Sequence, residues 1–344
     1  MGLFTLHPLA FTTAYSELKR RALELERFFV GTPGSVGTRT VKGKPFLYRQ
    51  YYDAMGRKVA DYIGPAASPE AAARAEVLRD RIALTTALAG EARILGRQGY
   101  VRVDARTSAV LGALANHGLF RAGAVLVGSH AYGALLNDLG VRAGAFLTQD
   151  VDIARARTLR LETRVSFADM LEESTVPLHP VLGFDRHRTA TSYKAPGRDP
   201  FRVDLMIPTS GREVSTAEVP ELRGHAAALP GLDYLLREPI DAVVLGRDGV
   251  VAVKVPRPEV FAWHKMYVAQ ARTTTSEKAA KDLLQASVLV AALADVESEA
   301  LASAFAEVPP KLLTKVRRAA ARVASSLEVA GAERAAAVVR DLIA

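Results

Sequence analysis

Five residues in three short phrases have the types and the order that phosphate-transfer chemistry needs. They are Gly128 and Ser129 in Val127-Gly128-Ser129, Asp150 and Asp152 in Thr148-Gln149-Asp150-Val151-Asp152-Ile153, and Asp204 in Phe201-Arg202-Val203-Asp204-Leu205-Met206. A Gly-Ser turn at the start of a helix can hold phosphate, because free backbone N–H groups and the positive end of the helix dipole favour negative charge there. Three carboxylates can hold two magnesium or manganese ions, one activating an attacking hydroxyl and the other stabilising a departing pyrophosphate. The chemistry this set predicts is two-metal nucleotidyl transfer from an NTP, with Asp150, Asp152 and Asp204 as metal ligands and Gly128 and Ser129 on the triphosphate.

Such a set works only if the surrounding elements hold it. Ala124 to Val127 is a short β-branched apolar run that reads as a buried strand, and His130 to Leu139 takes up a helical pattern through Leu135, Leu136 and Leu139. In Asp150-Val151-Asp152-Ile153 the alternation of a strand sends both carboxylates to one face and both aliphatic side chains to the other. The later phrase repeats this, with Val203, Leu205 and Ile207 on one face and Arg202, Asp204 and Met206 on the other, so Asp204 can join the same cluster. Acids sharing a face repel unless a cation sits between them. In this arrangement Asp204 is the candidate to take the acceptor's proton.

The ordered motifs resemble the nucleotidyltransferase superfamily typified by DNA polymerase beta, whose Gly-Ser, paired Asp and later single Asp correspond to Gly128, Ser129, Asp150, Asp152 and Asp204. A helix and a Gly140-Val141-Arg142 turn separate the Gly-Ser from the Asp pair, which is most similar to the AbiEii/MenT-type branch and a bacterial nucleotidyltransferase-fold family. The likeness continues through Val253 to Met266, then Arg272, Lys278, Lys281, Asp282 and Gln285, and covers roughly residues 105 to 290. Ser129 stands where the AbiEii type commonly has a second glycine. By this resemblance Lys281 is a triphosphate ligand; Lys265 joins it by its place after the proline-rich strand exit, and Asp282 orients a lysine. Helical spacing lets two or three of Lys265, Arg272, Lys278 and Lys281 share a face, which reads equally as a solvated helix face. His130 touches substrate or caps its helix, His264 beside Trp263 reads as packing, and His179, His187 and His225 show no paired zinc spacing. The segment from Asp185 to Asp199 is either a hairpin bringing Arg186, Arg188 and Lys194 to the nucleotide or a plain edge hairpin.

Composition narrows the remainder. A chain of 344 residues, 49% hydrophobic, is long enough for two or three domains. The absence of cysteine excludes disulfides, Cys-ligated zinc and thiol catalysis. The start lacks a basic n-region and cleavage site, and the longest apolar run, Ala286 to Ala294, is short of the roughly 20 residues that span a bilayer. A cytoplasmic protein with no membrane contact is expected. Residues 1 to 125 hold 18 Lys and Arg against 10 Asp and Glu, whereas the remainder holds 27 of each, so the net charge of +8 lies in the N-terminal part.

There, Phe11 to Val30 reads as an amphipathic helix, and residues 36–65 alternate as a three-stranded meander carrying Arg39, Lys42, Lys44, Arg49, Arg57 and Lys58 beside Tyr48, Tyr51 and Tyr52. Two readings stand: a surface that tracks RNA and stacks bases, or a small aromatic core with a solvated charged face. Ser68-Pro69-Glu70 starts a long helix to about Gly99, another helix covers about Thr107 to Leu119, and from Ser276 the chain is helical with breaks near Pro309-Pro310 and Gly331. Arg317, Arg318 and Arg322 form a solvated face.

The fold class expected is α+β: a polymerase-beta-type nucleotidyltransferase mixed sheet (105–262), preceded by a basic β-meander and helical arm (1–104) and followed by a C-terminal helical domain (263–344). Three acceptors compete: an RNA 3′ end, tRNA as in toxin relatives, which the local basic surplus favours; a protein hydroxyl; or a small molecule. A non-catalytic nucleotide-sensing or nucleic-acid-binding protein is the other class, against which stands the presence of all three acids.

Overall fold

The computed structural model describes residues 2–146, 148–163, 165–183, 189–272 and 276–344. The N-terminal part runs through β1 (Thr5–Leu6), α1 (Leu9–Leu23), the meander β2 (Ser35–Val41), β3 (Lys44–Tyr52) and β4 (Lys58–Pro65), and the arm α2 (Pro69–Arg97). The middle holds α3 (Ala105–Asn116), β5 (Ala124–Val127), α4 (Gly128–Asp138), β6 (Val141–Arg142), β7 (Asp150–Arg155), α5 (Phe167–Glu172), β8 (His179–Leu182), β9 (Ala190–Lys194), β10 (Arg202–Thr209), β11 (Ser215–Val219), β12 (Gly224–Pro230), α6 (Leu232–Leu235), β13 (Ile240–Leu245) and β14 (Val250–Val255). Helices α7 (Pro258–Ala271), α8 (Ser276–Ala294), α9 (Ser298–Ala306), α10 (Pro310–Val329) and α11 (Glu333–Ile343) follow.

The architecture is α+β. Its central sheet has the order β11-β12-β10-β7-β5, with β9 alongside the start of β10 and β8 beyond β9. It is mixed: β10 runs parallel to β7 and β12, while β5, β9 and β11 run antiparallel to their partners. Its inward residues are aliphatic (Leu126, Val151, Ile153, Val203, Leu205) and fully buried, which locks the register, since a one-residue slip would turn the carboxylates into the core. One apolar cluster extends from Phe28 to Val339, so sheet and C-terminal helices share a core. Helix α7 runs unbroken past residues 262 and 263. Among the described residues no helix is long and apolar enough to cross a membrane.

Several local expectations are corrected. Helix α1 stops at Leu23 instead of reaching Val30, because the chain at Phe28 is drawn to α3: its N–H donates to Asn116 Oδ1 (2.7 Å) and its carbonyl accepts from Asn116 Nδ2 (2.9 Å). Helix α4 begins at Gly128, two residues before His130. Val141 and Arg142 are not merely a turn but pair as β6 with β1. The arm begins as expected: the Ser68 hydroxyl accepts from Ala71 N–H (3.2 Å) and Pro69 opens the helix. Arg317, Arg318 and Arg322 are exposed along α10.

Candidate active site

Strands β7 and β10 are parallel and in register, with Asp204 opposite Asp152 and Arg202 opposite Asp150. On the other side of β7, Val127 of β5 stands opposite Asp152, so the chain turns at Gly128 directly beside that carboxylate. Gly128 has φ +68°, and a Cβ there would fall 2.0 Å from Asp152 Oδ2. Glycine is thus required twice, for its backbone angle and for the carboxylate that lies against it.

Burial, then the charges of Asp204 and Asp150, push the Asp152 carboxyl up to about 7. Asp204 is also raised, chiefly by burial, although the Ser192 hydroxyl donates to its Oδ1 and Arg202 Nε lies 3.0 Å from its Oδ2. The same guanidinium stands 3.7 Å from Asp150 Oδ1, bridging the two strands. Among the described residues no three acids or histidines converge closely enough to grip a metal ion as they stand. By chemistry the set still fits one: hard oxygen donors on one side of two adjacent strands, repelling one another enough to hold a proton near neutral pH.

The C-terminal helices meet the Gly-Ser turn from one side. Lys281 Nζ on α8 donates to Ser129 Oγ (3.2 Å), and burial, followed by the charge of Lys265, lowers the ammonium pKa. Lys265 on α7 is buried and donates to Asp282 Oδ1 (2.7 Å), and its charge acts on Asp152. Asp282, 1% exposed, also faces Arg272 Nε at 2.9 Å, so it holds two cations. Lys278 is exposed. The structure therefore divides the four expected cations: Lys281 at Ser129, Lys265 and Arg272 on Asp282, and Lys278 in solvent.

His130 does not cap α4: it is 3% exposed, neither ring nitrogen has a protein partner, and burial lowers its pKa to about 4. His264 is buried against Tyr267, its pKa lowered to about 3 by burial and Lys265. Lys194 pairs with Arg202 across β9 and β10, while Arg186, His187 and Arg188 lie outside the described residues. Sequence reasoning missed Ser192, whose hydroxyl braces Asp204, and gave Arg202 no role. Arg202 was legible, since the alternation that brought Asp204 to the acidic face brought it too. Ser192 had no signal, because its partner is set by antiparallel pairing of β9 with β10.

The meander has two unlike faces. Leu47 packs on Ala71 and Ala75 of α2; Arg49 on the same face is buried, stacked on Tyr51 (3.8 Å) and Phe29 (4.3 Å), and donates to the carbonyls of Thr32 and Pro33. Arg57 is held by Asp53 (2.7 Å). These two cations belong to the fold. The opposite face carries Phe46, Tyr48 and Tyr62 with their rings packed together, with Arg39 over Tyr48 and Lys44 and Lys58 exposed.

A family profile described as nucleotidyltransferase matches residues 105–309. The chain belongs to this nucleotidyltransferase family. The match contains Gly128, Ser129, all three acids, Lys265, Lys281 and Asp282, and leaves α1, the meander, α2, α10 and α11 of the nucleotidyltransferase outside it. No curated protein and no solved structure matches the chain.

Proposed function

We propose that the protein moves a nucleoside monophosphate from an NTP to a hydroxyl of RNA, with magnesium or manganese. The observation that carries this is the register that sets Asp204 against Asp152, with Gly128-Ser129 turning beside them and Lys281 reaching Ser129. Asp150, Asp152 and Asp204 would hold the divalent cations, which acidify the acceptor hydroxyl and neutralise charge growing on pyrophosphate. Asp204, raised by burial and braced by Ser192, accepts the proton from that hydroxyl. Ser129 and Lys281 bind phosphate oxygens, and the Lys265–Asp282 pair positions α7 against α8 behind them. The negative charge of the acids is thereby balanced by lysines from a different part of the chain. Lys265 and the Lys281-Asp282 pair are also what we take to place the chain nearest the toxin-bearing AbiEii/MenT-type branch, with the cytoplasm as its compartment. The RNA acceptor is supported by the outer face of the meander, where exposed cations flank aromatic rings.

The test is incubation with labelled NTPs, magnesium and total RNA or cell lysate. Label should enter RNA, and Asp204→Asn should keep NTP binding while losing transfer. Label entering only protein or small molecules would replace the acceptor; wild-type transfer by Asp152→Ala would remove the site.

A further inference from the structure

A cleft of about 930 Å³ lies between α2, the inner side of the meander and the chain at residues 27–30. Four arginines line it, Arg27, Arg49, Arg74 and Arg81, against one acid, Asp61. Asp61 is already taken by Arg49 (3.3 Å), and Arg74 donates to the Ile63 carbonyl (2.8 Å). Among the described residues neither Arg27 nor Arg81 has an ion pair or a hydrogen bond. Arg81 is half-buried, with its guanidinium 5.1 Å from the Phe29 ring, and the charge of Arg27 bears on it; Glu26 adds an opposing influence without forming an ion pair. Two guanidiniums directed at one desolvated space, with no counter-charge touching them, form an arrangement that an anion relieves.

The row continues. Two further cavities share Arg27 and Asn116 with this cleft and add Arg121, whose partner is the Glu26 carbonyl (3.4 Å), and Arg160, which has no ion pair among the described residues. Helix α3 separates this region from the acids. At its start Arg106 binds Gln149 (3.1 Å), next to Asp150, and at its end Asn116 lines the cleft. Twelve residues of helix make that distance about 18 Å.

We propose that the cleft is a second phosphate-binding site, remote from the acids, in which Arg27 and Arg81 grip the phosphates of a nucleotide chain or of a free nucleotide. Guanidinium forks match phosphate oxygens in pairs. The continuing row of arginines suits a strand, which presents several phosphates in sequence. The site does not depend on the transfer chemistry, so binding alone tests it.

Fluorescence anisotropy is read with two probes, a short labelled single-stranded oligouridylate and labelled ATP without divalent cation, across a salt series. In the Arg27→Gln, Arg81→Gln double variant the affinity for the responding probe should fall about tenfold or more, since charge-assisted bonds contribute roughly 1.5 kcal/mol or more each. For the oligonucleotide the log-log salt slope should become shallower by about two. Loss with the oligonucleotide assigns the site to a strand, and loss with ATP alone assigns it to a free nucleotide. Wild-type affinity for both probes overturns the proposal. Should Arg81→Gln disturb folding by losing its stack on Phe29, Arg27→Gln, on an exposed side chain, decides alone.

Discussion

Charge is used in opposite ways in the family-matching part of the chain and in the part that precedes it. Around the acids, charged groups are buried and answer one another: Asp282 holds Lys265 and Arg272, Arg202 reaches Asp150 and Asp204, and Lys281 reaches Ser129. In the meander, apart from Arg49 and Arg57, the cations point outward without carboxylate partners among the described residues. A buried charge must be matched within the protein, because losing its water costs several kcal/mol. An exposed charge loses nothing by waiting for an outside partner. Stability and chemistry are therefore coupled in the first region and separable in the second, and four changes of decreasing effect probe that difference.

The same substitution at two left-handed glycines separates the regions most sharply. Gly128→Ala forces a Cβ onto Asp152 Oδ2, whereas Gly43→Ala in the meander turn, with φ +76°, meets open space. Nucleotide transfer should drop on the order of a hundredfold or more in the first, since displacing a catalytic group by about 1 Å has that cost. The second should lose about 1 kcal/mol of stability at unchanged transfer. Comparable transfer in both variants would show that the carboxylate against Gly128 is unimportant.

Next in size is Lys265→Met. It removes a buried partner of Asp282 and should cost about 2 kcal/mol in chemical denaturation, less than a fully broken buried pair because Arg272 still faces the acid. A double variant with Asp282→Leu should recover part of that loss. A purely additive cycle would mean that the two side chains do not act as a pair.

The third concerns pH. The folded chain keeps the Asp152 proton up to about pH 7, whereas the ordinary carboxyl value is 3.8. Between those limits the folded state binds more protons than the unfolded one, so this group's contribution to stability falls as pH rises through the window and levels off above it. Denaturation with chelator present at pH 5 and pH 8 should show that loss in the wild type and a smaller one in Asp152→Asn. A pH dependence equal in both would place the proton elsewhere.

The smallest effect belongs to the meander. Replacing Arg39, Lys42, Lys44 and Lys58 by Gln should weaken RNA binding and flatten its salt slope by about one for each phosphate no longer neutralised, with thermal stability nearly unchanged. Arg57 is left in place because Asp53 already holds it. An unchanged slope would turn the acceptor reading towards protein or a small molecule.

The amino-acid sequence by itself determined the α+β class, the strand that ends in Gly128-Ser129, the faces of β7 and β10, and the start of α2 at Ser68-Pro69. Each depends on neighbours within one or two turns of chain: alternation decides which side a carboxylate takes, and a hydroxyl before proline satisfies the first helical N–H groups. What the sequence left open is which groups meet. Lys265 and Lys281 look like equivalent cations in the sequence, yet one is sequestered by Asp282 and the other reaches Ser129. Arg49 and Arg57 look no different there from the exposed cations, yet both serve the meander's own fold. Ser192 finds Asp204 because β9 pairs antiparallel with β10, and Asp152 lies on Gly128 because β5 pairs with β7. Side-chain direction is a local property with a short period, whereas the partner of a buried charge is chosen by packing between elements far apart in sequence, and only the tertiary structure decides that.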